Sequence, residues 1–489
     1  MGCKPDPWAK EWLERKRREE PETVKGWTIE KRNNVHYIKW GSTKWDPEAK
    51  KYRKVSKHIG TLNPNGTVSP ARSRTGSQDQ RCENPSVDLD SIDVKEFGNA
   101  LILKEASDEI YGPLKECFPG ICSELMALAE LRLLGNPRLN HASDSWRIID
   151  DSRGLNPRMS DEILSSVLAE VGGNHKAMEK FYSMIEDKDH RHMAVDLSVI
   201  FSKSDGVRML RKGYNRFKLK DTQFNLNVIC DLETSKPTRL CMVCGNVKEN
   251  SILGLLEEFG VEKGMVLVLD RGYGTRSNLD SLKEKGHDFV VALKRNSAAY
   301  NTIDTEDGHF IFEGRPVNYG AGKYWDYHAY RFEDLSMRTD EIYDKYKAEE
   351  DKGREVKNLD RAGNIMILSS LNIHPREIYR MYKDRCSIEN FFDTSKNDLG
   401  GDTTYLRTDL HVMGYNFVTF LAFCIWWNIR FRLRAANLET RYTPTDLLRS
   451  FAAVKVFYTL NGPVLSMIPK DVRSLADKMG YSLDLIHTS

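Results

Sequence analysis

Apolar residues recur along this chain in two periods, and the change from one to the other divides it. From about 97 to 190 they fall three and four apart, as in Ile121, Leu125, Leu128 and Ala129, and again in Ile163, Val167, Leu168 and Val171. That is the spacing of helices with one buried face. From 192 onward short apolar runs replace it, at 193–201, 223–231, 239–243, 265–269 and 288–293, with a helical stretch at 277–285 between the last two. The pattern predicts antiparallel strands followed by a crossover helix. Residues 295–365 interrupt the order with a polar segment holding Tyr324, Trp325, Tyr327, Tyr330 and Phe332 and a charged run at 340–360. A strand at 365–368, a long helix at 375–396 and an apolar helix over 409–435 follow, with another helical stretch opened by Pro444.

Ahead of all this, the charged first 25 residues, with the basic run Arg15 to Arg18, predict a frayed terminus. Two strand-like stretches at 35–40 and 52–59, separated by Trp45-Asp46-Pro47, predict a basic hairpin. The Pro-, Ser-, Asn- and Gly-rich stretch 63–86 reads as a linker.

The chain has 489 residues, enough for about three domains. With 40% hydrophobic and 29% charged residues it reads as an ordinary folded protein. Charge is uneven. Residues 1–81 hold 19 Lys and Arg against 10 Asp and Glu, a net +9; with +2 for the whole chain, the remainder carries −7. Such an N-terminal region suits a polyanion, or is simply a solvated basic surface. Nine scattered cysteines and a polar start without an apolar leader fit a reducing cytoplasm. The most apolar stretch, 412–427, is interrupted by Gly414 and Asn416 and falls short of the ~20 residues that span a bilayer. It predicts a buried core helix and no membrane association.

Three carboxylates stand out. Asp196 lies within Met193-Ala194-Val195-Asp196-Leu197-Ser198, one charge in a buried strand, which is costly unless paired or bound to metal. Asp270 ends the run Met265 to Leu269, and Arg271-Gly272-Tyr273-Gly274 opens a loop beyond it, where α/β sheets place ligands. Either could instead be a turn or capping aspartate. Glu389 belongs to a helix whose Tyr382, Arg385 and Lys396 share its face, at offsets of minus 7, minus 4 and plus 7. The ordinary alternative for that face is a solvated i, i+4 salt bridge.

Tyr382-x2-Arg385-x3-Glu389-x6-Lys396 resembles the Y-(2)-R-(3)-E-(6)-K signature of a large class of DDE-type insertion-sequence transposases, matching at all four positions. Asp270-Arg271-Gly272-Tyr273 resembles that class's second aspartate motif and Asp196-Leu197-Ser198 its first. The strand at 223–231 and Gly245-Asn246 fall where the family has a strand and a Gly-Asn turn, and the resemblance runs from about 120 to 450. Cys386 and Cys244 depart mildly from the pattern.

The resemblance implies an α/β fold with an RNase H-like mixed sheet flanked by helices, interrupted by a β-rich insertion, with a basic N-terminal region and a helical C-terminal tail. The implied organisation is 1–95 for DNA binding and linker, 96–190 helical, 191–294 and 366–436 catalytic, 295–365 inserted, and 437–489 helical. It also implies cleavage at insertion-sequence ends and strand transfer into target DNA, with Asp196, Asp270 and Glu389 holding two Mg²⁺ or Mn²⁺ ions. Hard cations of this kind prefer oxygen ligands and keep sites for water and phosphate. Tyr382, Arg385 and Lys396 would hold DNA phosphates. Arg271, Lys294 and Arg295 are further phosphate candidates, or surface charge, and Trp325 would stack on a flipped base or merely pack. Partners would be terminal inverted repeats, target DNA and a second copy of the chain in a synaptic homodimer, in the nucleoid. A related nuclease without strand transfer, or a non-catalytic DNA-binding descendant, are the alternatives; retention of all three carboxylates weighs against the latter.

Cys241-x2-Cys244 has half a zinc site's spacing but no second pair, and His190 and His192 suit local hydrogen bonding. Gly272-Tyr273-Gly274 is too short for a dinucleotide loop, and no P-loop is present, so ATP is not expected.

Overall fold

The computed structural model describes residues 5–32, 35–46, 51–70, 92–151, 153–215, 219–247, 251, 253–350, 359–385 and 406–483. They form two compact units, Met1–Leu89 and Asp90–Ser489.

In the first unit a helix, α1 (Pro7–Glu19), precedes an antiparallel sheet in the order β1 (Trp27–Arg32), β2 (Val35–Asp46), β3 (Lys51–Leu62) and β4 (Val68–Pro70). The β2–β3 pair is the expected hairpin, lengthened at both ends. The frayed terminus expected here is instead α1. Pro7 stands in its first turn and Lys16, Arg17 and Arg18 in its last, each suited to its end of the helix dipole. Ala9, Trp12 and Leu13 lie on one face and are buried with Ile38 and Leu62 of the sheet. β4 falls inside the stretch read as linker, its approach turned by Asn63, whose N–H donates to the Thr67 carbonyl.

The second unit opens with β5 (Asp93–Glu96) and a helical block: α2 (Phe97–Cys117), α3 (Cys122–Leu133), α4 (Leu139–Arg147), α5 (Asp161–Gly173) and α6 (His175–Ile185). The central strands are β6 (His192–Phe201), β7 (Arg211–Lys212), β8 (Thr222–Asp231), β9 (Pro237–Cys244), β10 (Val266–Leu269) and β11 (Asp288–Ala292), with α7 (Arg276–Glu284) between the last two. Next come β12 (Gly308–Phe312), β13 (Arg315–Tyr324), β14 (Tyr327–Asp334), α8 (Leu335–Glu350), β15 (Asn364–Ser369) and α9 (Pro375–Asp384). The chain ends with α10 (Asp409–Ala435), α11 (Pro444–Phe451), β16 (Lys455–Thr459), β17 (Gly462–Leu465) and α12 (Lys470–Met479).

One mixed sheet organises the unit, in the order β12-β13-β14-β15-β11-β10-β6-β8-β7, with β9 also on β8. β6, β10 and β11 run parallel; the other pairings are antiparallel. The 295–365 segment therefore extends the sheet, because β14 pairs with β15. Strand alternation splits the core. Met193, Val195 and Leu267 face one cluster, while Ala194, Ile200 and Val268 face the other, which α9 and α10 complete.

α10 is longer than the apolar run that signals it. Thr408 caps it by accepting from the His411 N–H, and Asn437, at φ 55°, ends it in the left-handed region. Among the described residues it alone is long and apolar enough to cross a membrane, and 78% of its most apolar window is buried within the fold. Phe417, Phe420, Phe423 and Leu421 are each at most 1% exposed, and burying each such side chain is worth roughly 1.5–3 kcal/mol. α10 crosses α5 closely enough that a Cβ on Gly414 would stand 2.0 Å from the Leu168 carbonyl oxygen, and one on Gly172 1.9 Å from that of Leu410. Gly414→Ala must therefore push two backbones apart. It is expected to cost about 2–3 kcal/mol, seen as a lowered melting temperature; an unchanged one would show that the crossing is loose.

The C-terminal region, expected to be helical, also holds the β16–β17 hairpin, which turns at Leu460-Asn461 and pairs with β5. β-branched and aromatic residues before the turn, and Gly462 at φ 105° just after it, favour that pairing over helix.

Candidate active site

Leu269 of β10 pairs with Val195 of β6 in parallel register, so the next residues along, Asp270 and Asp196, stand side by side on neighbouring strands. Alternation puts both on the face covered by α9. Asp196 is one-fifth exposed and its Oδ1 accepts from the Leu197 N–H at 2.8 Å; Asp270 opens the turn Arg271–Tyr273, whose Tyr273 N–H donates to the Asp270 carbonyl.

α9 supplies a cation to this pair. Pro375 starts the helix, the His374 side chain accepts from the Arg376 N–H, and Ile378, Tyr379 and Tyr382 form its buried face. That face fixes the direction in which Arg385, at the helix end, points. Its Nη1 lies 3.1 Å from Asp196 Oδ2 and its Nη2 3.5 Å from Asp270 Oδ1. Arg385 is 5% exposed, and its guanidinium also lies 5.5 Å from the Tyr382 ring centroid. A buried guanidinium spanning two carboxylates marks a locus built to hold positive charge.

A cleft of about 280 Å³ adjoins the pair, lined by Arg271, Arg295, Tyr300, Met337, Glu341, Asn364, Tyr382, Lys383 and Arg385 among others. Arg295 Nη2 donates to Glu341 Oε1 at 2.6 Å. Burial pushes the Glu341 carboxyl up, but Arg295 and the Gly363 N–H outweigh it and hold the group below the usual carboxylate range. Glu341, Tyr300 and Asn364 had no signature in the sequence; each reaches the cleft from a different element, and nothing local marks it. Lys294 is exposed two residues past β11, on the sheet end where Asp270 lies.

Tyr382, Arg385, Arg271 and Arg295 are thus brought together beside Asp196 and Asp270. Trp325 is not. Asp270 is level with Ala292 of β11, Ile367 of β15 and Tyr330 of β14, whereas Trp325 turns the β13–β14 hairpin five residues further down. At ~3.3 Å per residue that is roughly 16 Å towards the other end of the sheet. There Trp325 has φ 54°, lies with its ring tilted 39° against that of Tyr324 at 4.8 Å, and packs on the second core cluster. Glu389 and Lys396 lie outside the described residues, as does the second half of the expected 375–396 helix.

Among the described residues, one group of donors lies close enough to hold a metal ion, His190, Asp231 and Glu233, within 4.8 Å of one another. These groups already serve a turn. Asp231 accepts from the Glu233 N–H at 2.8 Å and the Thr234 hydroxyl, His190 Nδ1 is 2.6 Å from Asp231, and His192 pairs with Glu233. The hydrogen bond to Asp231 raises the His190 pKa against the opposing effect of burial. A raised pKa means that the pair stabilises the fold fully below the unfolded value of 6.5, and that this is lost as pH rises through the folded value. The melting temperature of His190→Gln should therefore fall furthest below wild type near pH 6 and converge with it by pH 9; a gap independent of pH would remove the ion pair.

Residues 187–425 match the family model described as "Transposase DDE domain". No curated protein matches the chain. A solved structure, the cryo-EM structure of a piggyBac transposase synaptic complex with hairpin DNA, aligns with a TM-score of 0.35 at 10% identity, over 72% of this chain and 70% of that one.

Proposed function

We propose that this chain, whose residues 187–425 match the transposase DDE domain, is an enzyme of DNA transposition and that Asp196, Asp270 and Glu389 carry its chemistry. The observation that supports this most is the pairing of Asp196 and Asp270 on adjacent parallel strands, bridged by the buried Arg385.

The donor set fits divalent metal: two carboxylates converge, with a cation already drawn between them, and hard ions such as Mg²⁺ or Mn²⁺ take oxygen ligands. Asp196 and Asp270 would hold the ions, with Glu389 joining them. Two bound ions supply activation of an attacking oxygen and neutralisation of a leaving one. The chain's own residues do the rest. Arg271, Lys383 and Tyr382 line the cleft where a phosphodiester would lie, and Arg385 can pass from the carboxylates to a phosphate oxygen as charge is delivered there. No side chain forms a covalent bond to DNA. Water attacks first and frees a 3′-hydroxyl at the element end, and that hydroxyl then attacks target DNA. Both steps need two ends held together, so the working form is a homodimer on terminal inverted repeats. Such DNA chemistry suits a protein of the cytoplasm, on the nucleoid.

The test is incubation of duplex DNA carrying the element's terminal sequence, with a target duplex, in Mg²⁺ or Mn²⁺ and in EDTA. Metal-dependent cleavage with joined product is expected. Cleavage without joining would make the chain a nuclease, and equal cleavage in EDTA would contradict the metal assignment.

A further inference from the structure

The body of the chain outside the N-terminal region is acidic, yet residues 203–221 hold seven Lys and Arg against two Asp and Glu, a net +5 within a remainder of −7. Lys203, Arg208, Arg211, Lys212 and Lys220 are all exposed, and among the described residues none makes an ion pair. Elsewhere in this unit cations are commonly matched: Arg153 with Asp108, Arg158 with Glu124, Arg239 with Glu179 and Glu186, Arg432 with Glu105. Five unmatched cations on one short segment are a surface kept for an external anion. Amid them Tyr214 is 87% exposed.

That exposure is held in place by a buried scaffold. Asn215, 4% exposed, donates to the Leu219 carbonyl at 2.8 Å and to Gln223 Oε1 at 3.1 Å, and accepts from the Leu219 N–H at 2.9 Å. Fully buried Gln223 donates to the Tyr214 carbonyl at 3.0 Å and to the Gly245 carbonyl at 3.2 Å. Gly213 lies so close that a Cβ there would stand 1.8 Å from the Gly245 carbonyl oxygen. A network so fully satisfied fixes the backbone on both sides of Tyr214, while the phenol itself stands out in solvent. An aromatic ring displayed among unpaired cations, on a rigid base, is the chemistry of a nucleic-acid contact.

The register says where on the DNA it would act. Arg211 pairs with Gln223, which pairs with Phe201, five residues beyond Asp196 towards the carboxyl end of β6. Asp270 lies at the carboxyl end of the parallel neighbour β10, so the basic segment projects from the catalytic end of the sheet. Five residues at ~3.3 Å span roughly 16 Å, about five base pairs at ~3.4 Å each.

We propose that the β7–β8 hairpin, through Lys212, Lys220 and Tyr214, grips duplex DNA about half a helical turn from the phosphate at Asp196 and Asp270. The proposal rests on the DNA-processing reading above. It adds a DNA-binding element outside the catalytic motifs, one that holds the duplex in line with the cleft. Lys212 and Lys220 neutralise phosphates, and Tyr214 lies against a sugar or an end base.

The experiment uses the full-length chain carrying Asp270→Asn, so that DNA is bound and not cut, and a fluorescent 40-base-pair duplex carrying the element's terminal sequence. Binding is followed by anisotropy in EDTA over a range of salt, for this parent and for the parent with Lys212→Ala and Lys220→Ala, or with Tyr214→Ala. The double lysine variant should bind at least about tenfold more weakly at 0.1 M salt. Its slope of log affinity on log salt should be shallower by about 2, near 0.9 for each phosphate that is no longer neutralised. Tyr214→Ala should bind more weakly with the slope unchanged. Melting temperatures should not move, since all three side chains are exposed. If the parent binds and both variants match it in affinity and slope, the hairpin's role is wrong while the function stands. If the parent binds no DNA, both fall.

Discussion

Asp196→Asn is expected to reduce DNA cleavage by roughly 10³-fold or more, the equivalent of about 4 kcal/mol of transition-state stabilisation, while leaving DNA binding within about twofold of wild type. The substitution keeps the side chain's shape and an oxygen for Arg385 to meet, and removes only the charge. Since metal affinity comes from charged oxygen donors, loss of that charge should strip the site of its ion and leave the DNA surface intact. Asp270→Asn should behave alike, because the two carboxylates stand side by side on parallel strands. The check is single-turnover cleavage paired with a binding measurement on the same variants. A variant that cuts at the wild-type rate would remove its carboxylate from the site, and one that loses binding and cutting together would indicate a damaged fold.

Arg385→Gln should have the second large effect, and on stability as much as on catalysis. Arg385 is the cation that the described residues place on both carboxylates, at 3.1 and 3.5 Å, and it is almost fully buried. Without it two like charges face each other in EDTA with one less counter-charge, and breaking a buried pair costs about 3–5 kcal/mol. Asp270 is more than one-third exposed, so solvent screens its share and the lower end applies. A divalent ion binds only the folded site and should restore much of this, about 2.7 kcal/mol at a hundredfold excess over its dissociation constant. Melting curves in EDTA and in Mn²⁺ decide the matter. The variant should melt well below wild type in EDTA and gain more from Mn²⁺; equal gains in the two proteins would mean that guanidinium and metal do not share a locus.

The meeting of Asp196 and Asp270 was legible in part because each signal is local: a carboxylate amid apolar strand residues, and another ending an apolar run before glycines. Each strand could be read by itself, and the parallel pairing of β6 with β10 brought the two together. Arg385 was legible as a charge on the right helix face, but not as a partner of Asp196, 189 residues away. Only tertiary packing creates that contact. Trp325 shows the opposite case. The family resemblance suggested that it stacks on DNA, yet which end of a hairpin faces the edge holding Asp196 and Asp270 depends on strand direction, which the motif does not encode. α1 and the β16–β17 hairpin were missed for a different reason. Their signals, Pro7 with apolar residues at 9, 12 and 13, and Asn461 and Gly462 between β-formers, are present in the sequence but were outweighed by the charge and helix propensity around them. The basic run of 203–221 is equally visible once charge is counted in windows, and whole-chain counting hid it.

The central claim, that Asp196 and Asp270 hold metal with Glu389, is tested most directly by locating Mn²⁺ through its anomalous scattering in crystals of the protein bound to terminal DNA. Density for Mn²⁺ at Asp196 and Asp270, with the Glu389 carboxylate among its ligands and Arg385 moved off the pair, is the result predicted. Mn²⁺ at His190, Asp231 and Glu233 with none at Asp196 and Asp270 would contradict the account.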